Sequence, residues 1–269
     1  MKYKMIISDY DGTLGVAPNN DIDKQTLDAI NKFIAKGGIF SVCSGREYRS
    51  IRRICVEQGL KGLVVSFQGA RIHDIETGEK LYSNGLKRDI AKEVLQAVKE
   101  YKLSPIIYTE ERFYITEHNE YVERYERAVR MQGVVVDPYT LIDEKGEVCK
   151  LGWVGPDDIV VRAANELNQK FKDQGVVFNS GAECLLEAVN PNCTKGNAVR
   201  FLANYYNVPL DQVMTIGDST NDIDLTVGEW HGVAVGDGKE ELKAVAKEVS
   251  VPFSQKPVKT LIEKYCLND

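Results

Sequence analysis

The sequence predicts an α/β fold, with a Rossmann-like doubly wound parallel sheet as the core and an inserted α+β domain. Short apolar runs alternate with helical patterns near both ends of the chain, as in parallel sheets covered by helices. Between these ends, strand pairs around short turns replace the alternation, which is typical of an antiparallel sheet. The 269 residues suffice for one large domain or two smaller ones.

The first part of the predicted core, residues 1–84, begins with an apolar strand at 5–7. A helix is predicted over 23–36, because apolar residues recur there at helical spacing and the Gly pair at 37–38 ends it. The remaining elements of this part are a strand at 39–43, a helix at 47–58 and a strand at 63–67.

The second part of the core, residues 187–269, returns to the same alternation, which predicts a parallel sheet with helices on both faces. Its predicted elements are a helix at 195–206, a strand at 213–216, a helix from 222, a strand at 232–235, a helix at 239–247 and a closing helix near 257–265.

The inserted segment, residues 85–186, reads as a separate α+β domain with an antiparallel sheet, because helix-strand-strand units occur at both of its ends. The predicted elements are a helix at 87–102, strands at 106–108 and 113–115, a helix at 119–131, strands near 134–136 and 147–154, a helix at 157–173 and a hairpin at 176–189.

Two acidic segments each begin where an apolar run stops, at residues 9–14 and 217–222. Ligands of open α/β sheets bind outside the carboxyl ends of such strands. Carboxylates crowded there repel one another unless a cation or a shared proton compensates, and oxygen ligands suit a hard divalent cation such as Mg²⁺. The sequence therefore predicts a magnesium-dependent active site. The four carboxylates are those of Asp9, Asp11, Asp218 and Asp222.

The composition excludes several classes of protein. A net charge of −6 gives no basic face for nucleic acid, although a metal and a lysine can still reverse the sign locally for an anionic substrate. No apolar stretch is long enough to cross a bilayer, and the N-terminus lacks the apolar core of a signal peptide. The six cysteines contain no Cys-x-x-Cys, so we expect reduced thiols, a cytoplasmic location and no zinc site.

Four segments resemble the motifs of the haloacid dehalogenase (HAD) superfamily of phosphatases, in that family's order. Asp9-Tyr10-Asp11-Gly12-Thr13 resembles the first motif, and an apolar strand that ends in Ser44-Gly45-Arg46 resembles the second. Thr194-Lys195-Gly196 resembles the third, and the acidic segment at 217–222 completes the set.

The long insertion and Ser44-Gly45-Arg46 are similar to the Cof-like branch, subfamily IIB, in which the insertion is a large cap domain. Two positions depart from that branch. Gln68-Gly69-Ala70 stands where Asn-Gly-Ala is usual, and Asp237 stands where Asn usually follows the last strand of the sheet. Both departures bear on substrate preference more than on chemistry.

The catalytic roles fall on the first motif. Asp9 is the predicted nucleophile, because a carboxylate can accept a phosphoryl group and so divide hydrolysis into two easier steps. Asp11 lies two residues further on, so both side chains point to one side of an extended chain. That spacing suits Asp11 for protonating the leaving oxygen and then accepting a proton from water.

The resemblance also implies a ligand set for Mg²⁺. Asp9, the backbone carbonyl of Asp11 and Asp218 would bind the ion directly. Asp222 would either be a fourth ligand or hold a metal-bound water, and it also stands where a helix N-cap would. These alternatives remain open at this point.

Four further residues are predicted to bind phosphate. Ser44 and Gly45 would present a hydroxyl and an N–H at a helix start, where Ser44 could equally be a simple helix cap. Lys195 would neutralise the phosphoryl group, the alternative being an ordinary surface lysine. Asn221 would hydrogen-bond the phosphate or orient Lys195.

The predicted function is that of a Mg²⁺-dependent phosphatase acting on a small phosphorylated metabolite, such as a sugar phosphate or a cofactor-related phosphate. The cap would close over the substrate, with Lys150, Glu111 and Arg112 as candidate contacts, while the three histidines are expected to be structural. A phosphomutase and a catalytically silent phospholigand-binding protein are the alternatives, and dehalogenase chemistry is disfavoured. Monomer and homodimer both remain open.

Overall fold

The structure is a computed structural model that describes residues 1–15, 21–181 and 184–267. It divides into two compact units, one formed by Met1–Ser83 with Thr194–Asp269 and the other by Asn84–Cys193. The second boundary thus lies after Cys193 rather than after residue 186. The reason is that the strand Leu185–Val189 pairs with strands of the second unit. No helix in the described ranges is long and apolar enough to cross a membrane.

The first unit contains an eight-stranded sheet. Its strands are β1 (Met5–Ser8), β2 (Ile39–Cys43), β3 (Leu63–Ser66), β4 (Arg71–Asp74), β5 (Lys80–Ser83), β14 (Val213–Gly217), β15 (His231–Ala234) and β16 (Glu248–Val249). They lie in the order β16-β15-β14-β1-β2-β3-β4-β5. Pairing is parallel from β16 to β3 and antiparallel across β4 and β5. β1 and β14, which precede the two acidic segments, are neighbours near the centre of the sheet.

Helices cover both faces of this sheet. They are α1 (Lys24–Ala35), α2 (Tyr48–Glu57), α7 (Lys195–Tyr205), α8 (Ile223–Thr226), α9 (Glu240–Lys243) and α10 (Pro257–Ile262). Successive side chains of a strand point to opposite faces. Accordingly Ile6 belongs to a core cluster with Ile30 of α1, whereas Ile7 belongs to a second cluster with Val199 of α7. The predicted doubly wound parallel core is confirmed.

Three strands of this sheet were not predicted, because they lie at or next to its edges and lack an apolar run. β4 and β5 form a hairpin of mixed composition, and β16 is only two residues long. The two short helices α8 and α9 are also shorter than the patterns from 222 and over 239–247 indicate.

The second unit is built around a six-stranded sheet in the order β12-β13-β11-β7-β8-β9. These strands are β7 (Ser104–Tyr108), β8 (Phe113–Ile115), β9 (Val134–Val135), β11 (Lys150–Val154), β12 (Val177–Gly181) and β13 (Leu185–Val189). Pairing is antiparallel except between β8 and β9, which are parallel. A separate two-stranded sheet pairs β6 (Leu86–Lys87) with β10 (Glu147–Val148).

The helices of the second unit are α3 (Arg88–Val98), α4 (Glu120–Val129), α5 (Pro138–Lys145) and α6 (Asp157–Lys170). α5 was not predicted, although Asp137 caps it and Pro138 opens it, because so short an element has little apolar periodicity. The unit has a core cluster of its own, with Trp153 of β11 and Leu167 of α6 among its members. The expected inserted α+β domain is therefore present.

The C-terminal edge of the first unit is held together by Glu248. Its carboxylate accepts hydrogen bonds from Lys264 Nζ at 2.9 Å, Tyr265 Oη at 2.7 Å and His231 Nε2 at 2.8 Å. Partial burial acts to raise the pKa of Glu248, but the hydrogen bonds from Lys264, Tyr265 and His231 lower it to about 2. One side chain thus joins β15, β16 and the end of the chain.

We expect Glu248→Gln to lower the free energy of unfolding at pH 7 by about 1–2 kcal/mol, a value reduced for solvent screening. A depressed carboxyl pKa stabilises the fold above the unfolded pKa of about 4.3 and loses that effect as the pH falls through the folded value. The difference between wild type and variant should therefore shrink between about pH 4.3 and pH 2. Urea unfolding at several pH values measures it. Glu241→Gln, at an exposed position of α9, is the control. A pH-independent difference would contradict the assignment.

Candidate active site

Asp9 lies directly after β1, and its position is fixed by the sheet. Its backbone N–H donates to the carbonyl of Ile216 in β14 at 2.8 Å, so the strand pairing continues to the acidic end. The hydroxyl of Ser8 donates to the carbonyl of Asp9 at 2.7 Å. The Asp9 side chain is 7% exposed. The two acidic segments therefore meet where the sequence predicts.

Three carboxylates form a compact cluster. Asp9, Asp218 and Asp222 each offer one oxygen, and these oxygens lie within 4.8 Å of one another. The hydroxyl of Thr13 donates to Asp218 Oδ1 at 3.0 Å. Gly12 has a φ of +84°, and a Cβ there would lie 2.5 Å from Asp218 Oδ2. Glycine at position 12 thus lets the two segments approach closely.

Lys195 is buried at the centre of this cluster. Its Nζ donates to Asp9 Oδ1 at 2.5 Å and to Asp222 Oδ1 at 2.6 Å. The side chain has no exposed surface, so the alternative of an ordinary surface lysine is wrong. It reaches the cluster from the first residue of α7, which Thr194 caps by accepting the N–H of Asn197.

Asp224 supports the start of α7, a contact that the sequence analysis missed. Its Oδ2 accepts the N–H of Gly196 at 2.8 Å, and a Cβ on Gly196 would lie 2.5 Å from the carbonyl oxygen of Asp224. A carboxylate beside the free N–H groups of a helix start is favourable. The only sequence feature that could have suggested this contact is the additional acidic residue two positions after Asp222.

Asp222 holds its own loop as well as Lys195. Its Oδ2 accepts the N–H groups of Asp218 and Ser219, both at 3.1 Å. Ser219, rather than Asp222, takes the cap position of the short turn, and the two side chains form a reciprocal capping box. Asp222 stands at the N-cap position of α8, as the sequence allowed, but its side chain forms no capping hydrogen bond with that helix.

The charges of the cluster do not balance, because three carboxylates face one ammonium. Burial raises the pKa of Asp9 despite the ion pair with Lys195, and burial likewise raises the pKa of Asp218 to about 6. Burial opposes the charge of Lys195, but Asp9 and Asp222 hold its pKa above the usual value. The raised pKa values of Asp9 and Asp218 mean that ionised carboxylates are unfavourable here, and a bound cation would relieve that cost as a proton does.

Ser44 and Gly45 lie in a turn and not at the start of the following helix. α2 begins at Tyr48, and Glu47 caps it by accepting the N–H groups of Arg49 and Ser50. The buried hydroxyl of Ser44 instead accepts the N–H of Arg46 at 3.1 Å. The helix-start placement of Ser44 and Gly45, and the helix-cap alternative, are both wrong.

Asp11 lies apart from the compact cluster and is bound by Arg46. Nε and Nη2 of the guanidinium donate to the two carboxylate oxygens at 2.8 and 2.5 Å. Arg46 also lies over the ring of Tyr10, 5.5 Å from its centre. About half of the Asp11 side chain is exposed, in contrast to the buried Asp9. No sequence pattern had identified Asp11 as the partner of Arg46.

An open cavity of about 440 Å³ lies against these residues. Asn221 lines it and is exposed. Lys195 donates its hydrogen bonds to the carboxylates of Asp9 and Asp222. Gln68, which received no role from the sequence, also lines the cavity. Among the residues that the structure describes, the cavity is lined by Asp9, Asp11, Gly45, Arg46, Gln68, Asp218, Ser219 and Asn221.

The other singled-out residues make structural contacts. Asp237 accepts the N–H of Phe253 at 2.9 Å, and His73 stacks on Tyr48. In the second unit, Lys150 pairs with Glu187, and Glu111 pairs with Lys145 at 3.0 Å. His118 lies 3.8 Å from Glu126.

Comparison with known proteins gives a consistent result. The sequence profile of haloacid dehalogenase-like hydrolases matches residues 6–262. An HMP-PP phosphatase of Serratia proteamaculans is 26% identical over 256 residues, covering 93% of this chain and 89% of that protein. A haloacid dehalogenase-like hydrolase from Bacteroides thetaiotaomicron has a TM-score of 0.83 at 22% identity and covers 98% of this chain and 99% of that one.

A HAD subclass IIB sugar phosphatase of known structure has a TM-score of 0.77 at 19% identity, with 97% of this chain and 98% of that chain covered. The structural matches agree with the doubly wound core and the inserted domain. On this evidence the chain is an enzyme of the phosphoric monoester hydrolase type and belongs to the haloacid dehalogenase-like hydrolase family.

Proposed function

We propose that the protein is a Mg²⁺-dependent phosphatase that hydrolyses a small phosphorylated metabolite through an aspartyl phosphate on Asp9. The observation that carries this proposal is the buried Lys195, which bridges Asp9 and Asp222 beside Asp218 at an open cavity. A buried ammonium between carboxylates at the carboxyl ends of β1 and β14 suits a phosphoryl-transfer site.

The residues present fit a magnesium ion. Their donors are hard carboxylate oxygens within 4.8 Å of one another, and they carry more negative charge than Lys195 offsets. Asp9, Asp218 and the backbone carbonyl of Asp11 would be the ligands. We assign Asp222 the supporting role, because its two oxygens already accept hydrogen bonds from Lys195 and two N–H groups. When bound, Mg²⁺ supplies positive charge next to the transferred phosphoryl group.

Asp9 would attack phosphorus with a carboxylate oxygen, which forms the acyl phosphate bond as the ester P–O bond breaks. Asp11 would donate its proton to the leaving oxygen, then accept a proton from the water that hydrolyses the acyl phosphate. Before this, Asp11 must exchange its contacts with Arg46 for contacts with substrate. Lys195 would keep Asp9 in place, and Ser44, Gly45 and Asn221 would hold the phosphate oxygens.

The substrate class follows from the relatives and from the domain plan. HMP-PP is the substrate named for the Serratia relative, so HMP-PP and sugar phosphates are the first compounds to test. We propose that the second unit acts as a cap that selects among such substrates. Phosphate release without a bisphosphate activator would separate a phosphatase from a phosphomutase. Any turnover would exclude a silent binding protein, which retention of both Asp9 and Asp11 already disfavours.

We expect Asp9→Asn to lower kcat by at least about 10³-fold while the fold stays intact, because the amide cannot act as the nucleophile. Steady-state hydrolysis of an aryl phosphate, with circular dichroism, measures both quantities. Asp28→Asn, at an exposed carboxylate of α1, is the matched control. Turnover close to wild type in the Asp9 variant would remove Asp9 as the nucleophile.

We expect activity to disappear in chelator and to return with Mg²⁺, whereas Ca²⁺ should support it poorly because it prefers looser and higher coordination. Mg²⁺ should also raise the melting temperature by relieving carboxylate repulsion. Asp218→Asn should remove most of that rise. Asp211→Asn, before the opposite end of β14, should keep it. Full turnover after exhaustive metal removal would refute the requirement.

We expect a core in which a short linker joins Ser83 to Thr194 to retain Mg²⁺ binding and slow hydrolysis of an aryl phosphate. The physical reason is that each unit has its own core cluster. All predicted catalytic, metal-binding and phosphate-binding residues belong to the first unit. Discrimination among natural phosphate esters should be lost. Substrate ranking of the soluble, folded core is the measurement, with the full chain as control. An unchanged ranking would place specificity in the core.

A further inference from the structure

The turn after β3 has an energetically unfavourable backbone conformation. Phe67, Gln68 and Gly69 have consecutive φ values of 50°, 57° and 107°. Residues other than glycine rarely adopt this left-handed backbone conformation, and those that do often occur at functional sites. Phe67 is 6% exposed, so packing accounts for its side chain. Gln68 needs another explanation.

The turn is held against two parts of the active site. The N–H of Phe67 donates to the carbonyl of Arg46 at 2.9 Å, and the N–H of Gln68 donates to the carbonyl of Ser44 at 3.2 Å. A Cβ on Gly69 would lie 2.4 Å from the carbonyl oxygen of Thr194, the residue before Lys195. These contacts fix the backbone of Gln68 beside the predicted phosphate-binding turn.

The side chain of Gln68 lies across Gly45 and lines the cavity that Asp9 and Asp218 also line. A Cβ on Gly45 would lie 2.5 Å from Gln68 Nε2, so the carboxamide occupies the space that a side chain at position 45 would need. Gln68 Oε1 is buried and accepts no hydrogen bond within the described residues. A buried amide end without a partner is unfavourable, and a group that forms a hydrogen bond with it would remove that cost.

We propose that the carboxamide of Gln68 donates a hydrogen bond to a non-bridging oxygen of the substrate's phosphoryl group, beside the N–H of Gly45. A half-turn about the terminal torsion exchanges the amide oxygen and nitrogen, so the unpartnered end can present an N–H. This inference rests on the proposed phosphatase function and adds a phosphate-binding residue to it. A charge-assisted hydrogen bond of this kind contributes about 10- to 100-fold in binding.

Gln68→Leu tests the contact, because leucine has a similar side-chain volume but cannot form the hydrogen bond. The inhibition constant of inorganic phosphate, measured with Mg²⁺, should rise by about 10- to 100-fold. The kcat/KM for phosphate esters should fall by a similar factor. If both constants remain at wild-type values, the proposal is wrong. If only the KM of esters changes, Gln68 contacts the leaving group and the phosphoryl assignment is wrong.

Gln68→Gly separates binding from a purely structural role. Glycine adopts the positive φ without strain, so the melting temperature should not fall while the phosphate inhibition constant still rises. Lys102→Gly is the matched control, because Lys102 is exposed and has a similar φ of 53° in the second unit. It should leave both kinetic constants unchanged.

A fall in melting temperature that accompanies the kinetic loss in both Gln68 variants would show structural support and overturn the proposal. Failure of the proposed function is distinguishable, since the wild-type enzyme would then release no phosphate with Mg²⁺.

Discussion

The ion pairs of the buried Lys195 ammonium are the interactions on which the candidate active site depends. The ammonium joins Asp9 after β1 to Asp222 after β14 and reaches them from the start of α7. Burying a charge is costly unless it is paired and hydrogen-bonded, and removing one partner of a buried pair typically destabilises a protein by about 3–5 kcal/mol. Three segments distant in sequence are therefore held in one geometry by a single side chain.

The place of Lys195 in the chain also explains why the insertion must be self-contained. Lys195 follows the boundary at Cys193. The lysine of the first unit is therefore separated from Asp9, in the same unit, by the whole of the second unit. An insertion that shared its core with the sheet would make the return of the chain to the first unit depend on its own folding. The second unit instead buries Trp153, Leu167 and their neighbours in a separate cluster. The two units can thus satisfy their apolar groups independently.

The sequence was most informative for the central strands, whose residues are buried because helices cover both faces of the sheet. The apolar runs of β1, β2, β3 and β14 predicted the parallel sheet because both of its faces are covered by helices. The edge strands and α5 are short, so their apolar patterns were too weak to recognise. Helix α2 begins at Tyr48, four residues after Ser44, so the turn at Ser44 is not the helix start that its motif indicated.

Within the active site, the acidic cluster and Lys195 were predicted from motif order, but their partners were not. The contact between Asp11 and Arg46 depends on the path of the turn after β2, which no local pattern specifies. The approach of Gln68 to Gly45 and the support of α7 by Asp224 likewise arise from tertiary packing. Residue types in the sequence indicated the chemistry, but the directions in which the side chains point could be read only from the tertiary structure.

The charge of the cavity constrains how an anionic substrate enters it. Asp9, Asp11 and Asp218 all line the cavity, whereas the buried Lys195 directs its hydrogen bonds to the carboxylates of Asp9 and Asp222. Arg46, which also lines the cavity, is bound by Asp11. A phosphate that enters this cavity alone meets uncompensated negative charge, and the repulsion is strong where water is displaced. A divalent cation bound first offsets that charge. For the proposed reaction, the electrostatics therefore favour binding of Mg²⁺ before the phosphate ester.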